Sequence, residues 1–84
     1  MRDLIEGLIR TNYNVNFLNI EELPDGRFTG IVTSVDFHDL DHPDRQRQFW
    51  EHLREGLGED SQRLSFFFLY TPEEYAAITD AQAA

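Results

Sequence analysis

The residue types with most chemical potential are concentrated between positions 37 and 50, in the run F-H-D-L-D-H-P-D-R-Q-R-Q-F-W. His38, Asp39, Asp41 and His42 place two imidazoles four apart with carboxylates between them, ligand types that would suit Zn²⁺ or Ni²⁺ if the segment curled around an ion. Imidazoles at this spacing converge only on a regular helix, and this pair straddles a loop and Pro43, so a solvated loop with a helix cap is the competing reading. His52 follows His42 by ten residues, roughly 80° around a helix, and is no obvious third ligand. Arg45 and Arg47, with Arg54 further on, could form a fork for a phosphate or a partner's carboxylate. They are also spaced for pairs such as Asp41/Arg45, Asp44/Arg47, Arg47/Glu51 and Glu51/Arg54, each contributing a few tenths of a kcal/mol. Trp50 follows Phe49, so the two side chains diverge by about 100° on a helix. Either both lie on one wide buried stripe, or Trp50 is exposed enough to anchor a partner.

Other chemistries have little to build on. The chain has 84 residues and no cysteine, which removes disulfides, thiolate metal ligands and cysteine nucleophiles together. No nucleophile–base set, phosphate-binding glycine loop or acid pair of defined spacing can be quoted, so no enzyme activity is expected. Sixteen acidic against seven basic residues give a formal charge of −9, which opposes approach to nucleic acid. The longest apolar run is Phe66 to Tyr70, far short of a membrane span, and a soluble, cytoplasmic protein is the expectation.

The elements that must position these residues follow from periodicity. Leu4, Ile5, Leu8 and Ile9 mark a first helix over Met1 to Tyr13, with Asp3 and Glu6 early and Arg10 late, as the helix dipole favours. Val15 to Glu21 reads as a strand with apolar residues on both faces, and Leu23-Pro24-Asp25-Gly26 as a hairpin turn into a second strand, Arg27 to Val35. Gly30 inside that strand signals a bulge or a close backbone approach. Asp36 to Asp41 is a polar loop carrying Phe37 and Leu40, after which Asp41 or His42 caps a helix that Pro43 opens. Gln46, Phe49, Trp50, Leu53 and Leu57 form its apolar stripe, and Gly58 stops it. Glu59 to Gln62 turns into a third strand, Arg63 to Tyr70, whose apolar residues on both faces predict a central position. Thr71-Pro72-Glu73-Glu74 is a capping box for a short last helix, about Pro72 to Thr79, with residues 81–84 expected to fray. One domain over residues 1–80 results, in α-β-β-α-β-α order. Its three-stranded mixed sheet has helices packed on one face, and the third strand is reached by a right-handed crossover.

This order, with F-H-D-L-D-H-P-D-R-Q-R-Q-F-W-E-H-L and the strand running into T-P-E-E-Y, resembles the BolA-like proteins, whose α+β fold is related to KH domains. The resemblance covers nearly the whole chain and implies a small regulatory or adaptor module. BolA-like proteins that share an iron–sulfur centre with a monothiol glutaredoxin use a histidine at the start of the last strand and a His or Cys in the first hairpin loop. Neither Asp60 to Leu64 nor Glu21 to Arg27 contains either residue. The KH-type G-x-x-G loop that clamps RNA is also missing, since Gly56-Leu57-Gly58 has the wrong spacing. The expectation is a protein-interaction module without a cofactor, its partner docked on Phe37, His38, Asp39, His42, Arg45, Arg47 and Trp50. A monothiol glutaredoxin is one partner the resemblance implies. The alternatives are a nucleic-acid-binding regulator using Arg45 and Arg47, and a metal or cluster site involving His38 and His42.

Overall fold

The computed structural model describes residues 1–83 and follows the expected order. Its elements are α1 (Arg2–Asn12), β1 (Val15–Glu22), β2 (Phe28–Ser34), α2 (His42–Leu57), β3 (Leu64–Tyr70) and α3 (Pro72–Ala83). Short 3-10 turns at Val35–Phe37 and Gly58–Arg63 occupy two of the segments read as polar loops. The local signals act as their chemistry dictates. Asp41, not His42, is the cap of α2, accepting a hydrogen bond from the Asp44 amide at 3.0 Å. At the hairpin, Gly26 takes a φ of 88° and its amide donates to the Leu23 carbonyl at 2.9 Å. Thr71 and Glu74 close a reciprocal capping box at 3.2 and 2.8 Å. The last helix runs to Ala83 and not just to Thr79, because Asp-Ala-Gln-Ala contains no glycine or proline to stop it. Of the tail expected over residues 81–84, Ala84 lies outside the described residues.

The sheet order is β1-β2-β3, with β1 antiparallel and β3 parallel to β2. β3 is therefore an edge strand and β2 the central one, which corrects the position expected for β3. β1, the other edge, is likewise not buried on both sides, since only Ile20 along it is fully enclosed. Alternation shows which faces are apolar, but not whether anything covers them.

On the first sheet face, Ile5 and Ile9 of α1 and Phe49, Leu53 and Leu57 of α2 pack over Phe28, Val32, Phe67 and Leu69. The helices approach closely because Gly56 leaves room for the Leu8 side chain. Gly30 marks both features its position suggested: the β2/β3 register shifts between Phe28 and Gly30, and the Phe67 ring lies against its Cα. On the second face, α3 contributes Tyr75, stacked on Phe17 with ring centroids 5.2 Å apart. No helix among the described residues is long and apolar enough to cross a membrane.

Candidate interaction surface

The first turn of α2 faces inward against the outer edge of β3. Arg45 is 4% exposed, and every part of its guanidinium is used. Nε donates to the carbonyls of Phe37 and Leu40 at 3.0 and 2.8 Å, and Nη1 to that of Leu69 at 3.2 Å. Glu74 accepts from Nη1 at 2.7 Å and from Nη2 at 3.3 Å. Gln46 then donates to the Phe67 carbonyl at 2.8 Å and accepts from the Trp50 indole N–H at 3.0 Å. Two side chains of α2 thus occupy consecutive outward carbonyls of β3, which blunts that edge against pairing with another strand.

This arrangement corrects the expected docking surface at two positions. Phe37 is fully buried and Arg45 is enclosed, so neither is presented to a partner. Arg45 also bypasses Asp41, which is engaged as the cap, in favour of Glu74. Its enclosure had a signal in the sequence: Arg45 lies four residues before Phe49 and eight before Leu53, on the stripe that faces the core. His38, Asp39, His42 and Arg47 are exposed, and Arg47 pairs with Asp44 as their spacing predicts. The His38 Nδ1 lies 3.3 Å from Asp39, but no group of three potential ligands among the described residues could hold a metal ion. Trp50 is half-buried, edge-on to Phe67 at 6.2 Å, and belongs more to the core than to a free surface.

Glu74 joins α3 to the arginine and to its own helix start. The Arg45 hydrogen bonds, assisted by the Thr71 amide and opposed by partial burial, hold its carboxyl near a pKa of about 2, below the usual 4.5. A lowered pKa stabilises the fold at any pH above the unfolded value, and the contribution is lost as pH falls from about 4.5 towards about 2. The side chain is 39% exposed, so solvent screening limits the effect to about 1 kcal/mol. Glu74→Gln is expected to cost that amount at neutral pH and to flatten the stability profile in this acid window. Urea midpoints of both proteins between pH 2 and 7 provide the check, and parallel profiles would contradict it.

The feature that sequence reading missed is the second sheet face. Phe17, Phe66 and Phe68 are 42%, 52% and 47% exposed. Their rings form a connected band: Phe66 to Phe68 at 5.2 Å, Phe68 to Tyr70 at 6.1 Å, Tyr70 to Tyr75 at 6.3 Å, then Phe17. A shallow hollow beside it is lined by Asn19, Glu21, Thr29 and Ile31. The alternation of β3 announces apolar residues here, but by itself it places them in an interior.

The hairpin and the start of β3 do meet, in a cleft lined by Met1, Arg2, Glu22, Gly26, Phe28 and Arg63. Its charged side chains are two guanidiniums and one carboxylate. Iron–sulfur centres need thiolate or imidazole donors, so these residues do not fit a cluster.

No family model and no curated protein matches the chain. Among solved structures it is similar to a Bol-like protein from Babesia bovis, with 20% identity over 94% of this chain and 93% of that one, and a TM-score of 0.69. The architecture is thus the BolA-like α+β fold that the sequence resembles, and at this identity the likeness is one of fold.

Proposed function

We propose that this domain is a non-enzymatic protein-interaction module that docks a partner on the second sheet face, around Phe17, Phe66 and Phe68. The observation that carries this reading is the exposure of three phenylalanines along one aromatic band in a domain too small to waste them. Aromatic side chains with polar rims are typical anchors of protein interfaces. The nucleic-acid alternative loses support, because Arg45 is consumed internally and Arg47 is paired on the surface of a chain with a charge of −9.

The test is Phe66→Ser combined with Phe68→Ser. Both positions face solvent, so folded stability should change by no more than about 1 kcal/mol. A partner captured by the parent protein, and then purified, should bind the variant at least about 30-fold more weakly, as loss of an interface anchor of roughly 2 kcal/mol requires. Equal binding of the two proteins by calorimetry would overturn the proposal.

A further inference from the structure

The two edges of the sheet are not equivalent. On β3, the carbonyls of Phe67 and Leu69 turn outward and are taken by Gln46 and Arg45. With the observed register, this orientation directs the main-chain groups of Gly30 and Val32 towards β3 and those of Ile31 towards β1. Asn19 therefore exchanges hydrogen bonds with Ile31, while the N–H and C=O groups of Leu18 and Ile20 point away from the sheet. Among the described residues, no hydrogen bond from outside the sheet reaches those groups. β1 has neither the proline nor the lysine that commonly protects an edge, and its bulge is confined to the Val15/Phe17 end.

We propose that β1 is a strand-addition edge that receives an extended, lysine- or arginine-rich segment of a partner protein as a fourth strand. The proposal deepens the interaction-module reading and rests on it. Main-chain pairing to Leu18 and Ile20 would supply affinity, and alternate side chains would supply selectivity. On the second face the added strand would run beside Phe17, Asn19 and Glu21, continuing the aromatic band, and at its far end it would meet Glu22. Opposite charges across a strand pair are stabilising and like charges are not, so Glu21 and Glu22 select a basic segment. A second copy is the less suitable occupant, since each chain carries a charge of −9.

The experiment uses a short synthetic peptide alternating lysine and valine, with a twin in which glutamate replaces lysine. Amide hydrogen exchange is followed by NMR on the full chain. The lysine peptide should slow exchange at Leu18 and Ile20 by about tenfold or more, and the glutamate twin should leave it unchanged. Leu18→Pro removes one outward N–H, a change an edge position can tolerate, and should abolish the protection. Should that variant not fold, the double change Glu21→Lys and Glu22→Lys leaves the ladder intact and should reverse the preference between the peptides. Protection by neither peptide, or equally by both, would overturn the proposal, as would protection arising from protein concentration alone. Lysine-peptide shifts at Phe66 and Phe68 without protection of Leu18 and Ile20 would reject the edge while leaving the aromatic-face reading standing.

Discussion

Replacing Arg45 with methionine is expected to destabilise the domain by about 3–5 kcal/mol, much of the roughly 5–10 kcal/mol a domain of this size possesses. Methionine fills a similar volume and is a good helix former, so neither packing nor propensity accounts for the loss. The cost arises from what the guanidinium leaves behind. The carbonyl of Leu69 is buried where Arg45 reaches it and would have no donor, at about 1–3 kcal/mol for an unsatisfied group, while that of Phe37 would keep only the Leu40 amide. Leu40 would lose its donor nearer to solvent, and Glu74 can rehydrate because its side chain is 39% exposed. Thermal unfolding should show a midpoint lower by roughly 15–30 °C. Arg45→Lys should fall between the two, since one ammonium cannot span carbonyls on both sides as well as a carboxylate. A loss below about 1 kcal/mol for methionine would contradict the account. A double-mutant cycle with Glu74→Gln isolates the ionic part, expected at about 1 kcal/mol.

The second large effect is expected at Gly30. A Cβ there would run into the Asn19 carbonyl of the neighbouring strand and lie 2.8 Å from the Phe67 Cε1. The carbonyl belongs to a paired backbone and cannot retreat without opening the β1/β2 ladder. The ring is 2% exposed and is held by Phe49 at 5.2 Å and Trp50 at 6.2 Å. Gly30→Val therefore forces strain on both neighbours, at about 3 kcal/mol or more, and Gly30→Ala at about 2 kcal/mol. Urea denaturation measures both, and an alanine variant within about 0.5 kcal/mol of the parent would show that the strands adjust freely.

These two residues show where sequence reading succeeds and where it stops. Turns, caps and the α2 stripe are local, so Pro24-Asp25-Gly26, Asp41, Gly58 and the Thr71–Glu74 box were legible from neighbouring residues alone. Gly30 could be flagged but not explained, because the ring that presses on it comes from 37 residues further along the chain. Residue type alone makes Arg45 a surface charge, as arginine usually is. Its position on the buried stripe was visible, but the cluster of carbonyls that makes burial affordable is assembled by tertiary structure. The aromatic band was misplaced for a related reason. Phe66 and Phe68 alternate as interior residues do, and whether a face is covered depends on how many helices reach it. α1 and α2 both lie on the other side, and α3 brings Tyr75 to this one.

The Arg45 contacts also bear on the order of events during folding. The residues it joins are 5, 8, 24 and 29 positions away, in the loop before α2, in β3 and in α3. The bonds to Leu69 and Glu74 cannot form until the crossover has delivered β3 to β2 and the capping box has started the last helix. Closure of the clamp belongs on the native side of the folding barrier, so its loss would leave the folding rate nearly unchanged and appear as faster unfolding. In that sense Arg45 determines how long the finished domain persists more than how readily it forms.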